Sequence, residues 1–167
     1  MAQITFKGNP IHTVGDLPKA GDRAPDFKVT KDDLSDVSLK DFKGKRLVLN
    51  IFPSIDTPVC AASVRKFNEQ ASKLKNTAVL CVSRDLPFAH KRFCASEGLN
   101  NVINGSEYRN TVFSDAYKVR IVDGPLAGLL SRAVVVIDEQ GKVIHSEQVP
   151  EIAQEPDYAK ALSVLGA

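Results

Sequence analysis

Cysteine is scarce in this chain, three in 167 residues, and an odd count argues against a purely structural disulfide framework. No apolar stretch approaches the roughly 18 residues of a membrane span. The start, Met1-Ala2-Gln3-Ile4-Thr5, has neither a basic segment nor an apolar one of the secretory kind. No excess of either charge exists: 22 Lys and Arg face 20 Asp and Glu, for a net charge of +2. The densest basic cluster, Lys40, Lys43, Lys45 and Arg46, is broken by Asp41 and Gly44 and reads as a solvated loop. That excludes an electrostatic nucleic-acid footprint, which needs basic residues gathered on one face. Repeats, low-complexity tracts and linkers are lacking as well. A phosphate-binding or dinucleotide fingerprint is missing too, because Gly124-Pro125-Leu126-Ala127-Gly128 has the wrong spacing. What remains is an ordinary composition, 43% hydrophobic and 25% charged. The expectation is one domain over residues 1–167 in the reducing cytoplasm, able to bury roughly 70% of its unfolded surface without staples. In such a compartment a disulfide is catalytic or redox-sensing, so the cysteines are the place to look for chemistry.

The hydrophobic pattern alternates between strand and helix periods. Ile4–Lys7 and Ile11–Val14 flank Gly8-Asn9-Pro10 and predict a small hairpin. Phe27–Thr30 and Val37–Leu39 are short strand candidates. The continuous apolar run Leu47–Phe52 suits a central strand covered on both faces. Val64, Phe67, Ala71 and Leu74 then recur at helical spacing within a stretch, Val59 to Lys75, free of Gly and Pro. Ala78–Ser83 repeats the buried-strand pattern, and a second helix runs from Pro87 to Glu97, stopped by Gly98. Val102-Ile103 reads as a short strand and Arg109 to Tyr117 as a helix. Ala133–Asp138 and Val143–Glu147 form an antiparallel pair about Gln140-Gly141. Pro156 opens a last helix with Tyr158, Ala159, Leu162 and Leu165 on its apolar side. The succession implies an α/β three-layer sandwich with a mixed central sheet.

The sharpest local signal is Phe52-Pro53-Ser54-Ile55-Asp56-Thr57-Pro58-Val59-Cys60, where a buried strand hands over to a helix. In open α/β sheets ligands bind in that carboxyl-end crevice. With Thr57 as N-cap and Pro58 as first helical residue, Cys60 falls in the first turn, at the positive end of the helix dipole, which favours a thiolate. Cys60 also shares a helical stripe with Val64, Phe67 and Ala71, the placement of a small buried hydrophobe. The residues alone leave both readings open.

The pattern Pro53-x-x-x-Thr57-x-x-Cys60 resembles the active-site motif of the peroxiredoxins, and Asn50–Asn68 is similar almost throughout to their thiol peroxidase branch. So are Arg92-Phe93-Cys94, Glu97-Gly98-Leu99, Asn101-Val102, Asp123-Gly124-Pro125-Leu126 and Arg132–Asp138. The likeness extends from the hairpin to Glu155-Pro156-Asp157-Tyr158, nearly the whole chain. It implies a thioredoxin-like fold with an added N-terminal β-hairpin. It further implies Cys60 as peroxidatic cysteine, Cys94 as resolving cysteine in an intramolecular disulfide, and Pro53, Thr57 and Arg132 as supporting residues. Hydroperoxides as substrates, thioredoxin with its NADPH-dependent reductase as reductant, a homodimer and no cofactor follow from the same likeness.

Each implied role has a physical rationale. Peroxide reduction develops negative charge on sulfur and on the leaving oxygen, and helix N–H groups, a hydroxyl and a guanidinium stabilise both. Arg132 keeps its proton and offers five donors in a fixed fork; without the likeness it reads as a surface ion pair. Thr57 is equally an N-cap, and Pro53 equally a turn residue. The sulfenic acid left on Cys60 must meet a thiol before more peroxide drives it to sulfinic acid. Cys81 lies inside the apolar run 79–82 and reads as core, whereas Cys94 sits among His90, Lys91 and Arg92, which makes it the better candidate. Because Cys60 and Cys94 lie on different predicted helices and a disulfide needs Cα atoms within about 7 Å, a helix end is expected to unwind. Phe52, Phe88, Phe93 and Leu126–Leu130 are expected to make the mouth apolar and to favour organic hydroperoxides.

Two other classes stand beside this one. A metal site of Cys60, Cys81, Cys94 and a histidine has His90 and Cys94 at i, i+4 but lacks a C-x-x-C pair. A thioredoxin-type dithiol oxidoreductase wants cysteine where Thr57 stands.

Overall fold

The computed structural model describes residues 1–166. Strands β1 (Ala2–Phe6) and β2 (Asn9–Thr13) form the expected hairpin. Seven further strands build the main sheet: β3 (Lys28–Thr30), β4 (Asp36–Ser38), β5 (Arg46–Ile51), β6 (Thr77–Ser83), β7 (Ile103–Ser106), β8 (Ala133–Ile137) and β9 (Val143–Gln148). Their order is β4-β3-β7-β6-β5-β8-β9. The central trio β7, β6 and β5 is parallel, and the remaining pairings are antiparallel, so the sheet is mixed. Helices α1 (Pro58–Ala71), α2 (Pro87–Glu97) and α4 (Tyr158–Ser163) cover one face, and α3 (Val112–Tyr117) with a 3₁₀ turn at Leu39–Phe42 covers the other. The architecture is the expected thioredoxin-like three-layer sandwich with an N-terminal hairpin.

The continuous apolar runs are explained by burial on both faces. Leu47, Leu49 and Ile51 of β5 join Leu80, Val82, Val135, Phe113 and Tyr117 in one core, while Val48 joins Val79, Val134, Val136 and the α1 stripe Cys60, Val64 and Phe67 in the other. Alternate side chains point to opposite faces, so a strand between two helical layers has no exposed side to make polar.

Several boundaries differ from the sequence reading. Helix α1 ends at Ala71, where Ser72 caps it, rather than at Lys75. Only 112–117 of the 109–117 segment is helical. Strand β7 runs on through Asn104, Gly105 and Ser106, a polar stretch with no strand signature. Its Gly105 lies so near β3 that a Cβ there would stand 2.6 Å from Val29 Cγ2. On α4, Ala161 and not Ala159 turns inward.

The hairpin forms a small third core through Ile4 and Ile11 with Ile121 and Ile152. Glu151 clamps it: the carboxylate accepts from Thr5 Oγ1 at 2.6 Å and from the Lys7, Gly8 and Ala153 N–H groups. These bonds, the Thr5 hydroxyl first, hold the Glu151 carboxyl down at about 2. Gly124 passes over the hairpin with φ +71, and a Cβ there would meet Ile11 Cγ2 at 2.6 Å, so glycine is required by both conformation and space.

Candidate active site

Strand β5 ends at Ile51, and its antiparallel neighbour β8 begins opposite it, with Ile51 paired to Ala133. Arg132, immediately before β8, is thereby delivered to the loop that leads from β5 into α1. Thr57 is the N-cap of α1 and Pro58 its first residue, as expected, and Cys60 sits in the first turn, fully buried. The Thr57 hydroxyl does not cap; it donates to the Ser54 carbonyl at 2.9 Å and closes the loop on itself. The combined capping role expected of Thr57 is therefore corrected: its side chain shapes the turn, and the first-turn N–H groups are left free of it.

Arg132 is buried at 3% exposure, not the surface ion pair its residue type alone predicts. Nε donates to the Ile152 carbonyl at 2.7 Å, and Nη2 donates to Cys60 Sγ at 3.3 Å. Nη1 has no partner among the described residues. A desolvated guanidinium with an unused donor beside a thiol is poised for an anionic or strongly accepting group. Above it lies a pocket of about 220 Å³ lined chiefly by Pro53, Thr57, Leu126, Leu129, Arg132 and Ile152. The mouth is apolar, but the expected residues supply it only in part. Phe52 and Leu130 are buried in the cores, and Phe88 is exposed on α2; none of these, nor Phe93, lines it. Hairpin residue Phe6 lines it instead, which local sequence does not announce.

All three cysteines are reduced and buried. Cys81 faces the α1 side of the sheet and accepts from Asn50 Nδ2 at 3.7 Å; burial pushes its thiol up to about 12. Cys94 is also buried, at 7% exposure, so the contrast in burial expected between it and Cys81 is a small one. Its polar neighbours Lys91 and Arg92 point outward while Cys94 and His90 occupy the inner face of α2. Burial raises the Cys94 thiol above its ordinary value, and Asn104 Nδ2, donating to Sγ at 3.3 Å, opposes that.

Asn50, Ser63, Asp85 and Asn104 carry no role in the sequence reading, and His90 appears there only as a candidate metal ligand and polar neighbour of Cys94. Asn50 Nδ2 donates to Ser63 Oγ at 3.3 Å, and Ser63 donates to the Cys60 carbonyl, tying the first turn of α1 to the sheet. Buried polar residues inside apolar runs are their signal, since such groups need partners. Among the described residues no three His, Cys, Asp or Glu side chains gather to hold a metal ion.

A mixed sheet that presents a helix-start cysteine to a buried arginine is the frame of a thiol-based oxidoreductase. The Redoxin family matches residues 19–162. The chain is 57% identical over 167 residues, all of both chains, to the thiol peroxidase of Mycobacterium tuberculosis, and equally so to that of Mycobacterium bovis. A peroxiredoxin-like protein from Aquifex aeolicus superposes with a TM-score of 0.94 at 40% identity, covering 99% of this chain and 96% of that one. A thiol peroxidase from Chromobacterium violaceum, 22% identical, shares the fold with a TM-score of 0.90 over 99% and 96% of the two chains. The chain therefore belongs to the Redoxin family and, within it, to the thiol peroxidases, oxidoreductases of the peroxiredoxin type.

Proposed function

We propose that this chain, acting as one domain over residues 1–167, reduces hydroperoxides by a two-cysteine cycle in which Cys60 is peroxidatic and Cys94 resolving. The observation that carries the proposal is Arg132 Nη2 at 3.3 Å from Cys60 Sγ, with Nη1 of the same guanidinium unengaged among the described residues beneath an apolar pocket. The Cys60 thiolate attacks the terminal oxygen of ROOH. The S–O bond forms as the O–O bond breaks, and the departing alkoxide takes a proton to leave as ROH. Arg132 stabilises charge on sulfur and on the leaving oxygen, where preorganised donors act most strongly. Pro53 and Thr57 wall the pocket and hold the loop in shape.

Cys94 then attacks the sulfenic sulfur of Cys60. The S–S bond forms, the S–O bond breaks, and water leaves with the Cys94 proton. Two thiols have been oxidised and one peroxide reduced. An external dithiol of the thioredoxin kind, recharged from NADPH by its reductase, returns the disulfide to two thiols. The working unit is a homodimer, as the likeness to the family implies, and the cycle belongs to the reducing cytoplasm expected from the sequence. The lining by Leu126, Leu129, Ile152 and Phe6 supports organic hydroperoxides as preferred substrates over hydrogen peroxide.

The deciding experiment is a peptide map of the reduced protein after one equivalent of cumene hydroperoxide. A Cys60–Cys94 disulfide with Cys81 free is the expected result. Persistent sulfenic or sulfinic acid on Cys60 removes Cys94 as resolver, and three unreacted thiols overturn the proposal.

A further inference from the structure

The end of β6 and the residues that follow it, Ser83-Arg84-Asp85, run beside the loop that carries Cys60 into α1. Asp85 is half-buried and accepts on two fronts. From the loop it takes the Ser54 hydroxyl at 2.8 Å and the Ile55 N–H at 2.8 Å; from β6 it takes the Ser83 hydroxyl at 2.5 Å. Ser83 Oγ lies 2.7 Å from His90 Nε2, and His90, 1% exposed, stands on α2 one turn before Cys94. The hydroxyl has a single proton and a carboxylate can only accept, so that proton goes to Asp85 and the ring nitrogen facing Ser83 is the one bearing hydrogen. A continuous hydrogen-bonded chain thus joins the peroxidatic loop to the helix of the second cysteine. The other links between these segments, Arg92 with Asp56 at 3.2 Å and Arg65 with Glu97 at 2.7 Å, are exposed or nearly so and weak by comparison.

We propose that Asp85, Ser83 and His90 are positioning residues that clamp the helix of Cys94 against the loop of Cys60, and that the clamp opens when the two sulfurs join. The inference rests on the two-cysteine reading above. Cys60 is engaged by Arg132 and Cys94 by Asn104, whereas an S–S bond is about 2.05 Å long. Cys94 must leave Asn104 to attack the Cys60 sulfenic sulfur and expel water, and the neighbouring turn bearing His90 moves with it. While the clamp holds, the sulfenic acid waits, exposed to a second peroxide that converts it to sulfinic acid. The clamp sets the ratio of those two fates.

Rapid-quench mass spectrometry with cumene hydroperoxide separates Cys60 oxidation, Cys60–Cys94 disulfide formation and sulfinic acid yield in one experiment. His90→Ala is expected to speed disulfide formation about fivefold, the worth of one net hydrogen bond, and to cut the sulfinic yield in proportion. Cys60 oxidation is expected to change by less than about twofold in the same variant. His90→Gln, whose amide still donates to Ser83, restores the original ratio, which a loss of packing alone does not allow. Ser83→Ala removes the bridging hydroxyl and carries the same test if His90→Ala fails to fold. Unchanged disulfide rates in these variants, or equal changes in both steps, overturn the clamp while leaving the peroxidase intact. Absence of a Cys60–Cys94 disulfide in the unaltered protein overturns the two-cysteine reading and the clamp together.

Discussion

Arg132 Nη2 donates to Cys60 Sγ across 72 positions of sequence, and the contact exists because β8 begins opposite the point where β5 ends. The same guanidinium is pinned by its Nε to the Ile152 carbonyl, so its approach to sulfur is directed and not a chance of rotamer.

Arg132→Lys keeps the charge and loses the fork that reaches both carbonyl and sulfur. The second-order rate of Cys60 oxidation, followed by stopped flow, is expected to fall about 100-fold or more, the usual cost of one preorganised donor to developing negative charge. An undiminished rate removes Arg132 from the reaction.

Cys81 is expected to stay silent. Its thiol is fully buried and held up at about 12, so the reactive thiolate is essentially absent at neutral pH. Cys81→Ser should leave turnover with a thioredoxin-type reductant intact, whereas Cys94→Ser should oxidise once and stop with sulfenic or sulfinic acid on Cys60. Alkylation of native protein followed by mass spectrometry checks the first point independently, with Cys81 unlabelled.

The apolar pocket should read in substrate choice. Leu126→Gln or Leu129→Gln places a polar group in the mouth and removes apolar contact worth about 1 kcal/mol, hence roughly a fivefold fall in the rate with cumene hydroperoxide relative to hydrogen peroxide. Equal losses with both peroxides would show that these side chains support the fold and not the substrate.

Acid stability should depend on Asp85. Burial pushes its carboxyl up, but the His90 ring 3.6 Å away and hydrogen bonds from Ser83, Ile55 and Ser54 outweigh that and hold it down at about 2, against an ordinary 3.8. A carboxyl lowered in the folded state stabilises at pH above its unfolded value and loses that contribution as pH falls through the folded value, so the window runs from about 4 to about 2. Asp85→Asn should cost about 2 kcal/mol at pH 7, measured by urea unfolding, and the gap should close on acidification through that window. A gap that stays constant with pH contradicts the assignment.

Much of the fold was legible because it rests on periodicity. The run Leu47–Phe52 reads as a central strand since both its faces are buried, and Pro58 with Thr57 marks the start of α1 by local backbone chemistry alone. Of β7 the sequence signals only Ile103, because Asn104, Gly105 and Ser106 are chosen by neighbours from β3, β6 and α2, which no window of sequence contains. Cys94 is more enclosed than its sequence neighbours imply for a related reason: charge along α2 is visible in sequence, but the side of the helix that faces the sheet is set by packing.

The strand–helix succession, the helix start under Cys60 and the family motif are legible in the chain itself, as consequences of short-range pattern and backbone preference. That Arg132 reaches Cys60, that Phe6 of the hairpin walls the pocket, and that Asp85 joins the Cys60 loop to the Cys94 helix through Ser83 and His90 follows from the folded arrangement alone. The reason is physical: hydrogen bonds and burial act between groups brought close in space, and strand order, not sequence distance, brings these groups together.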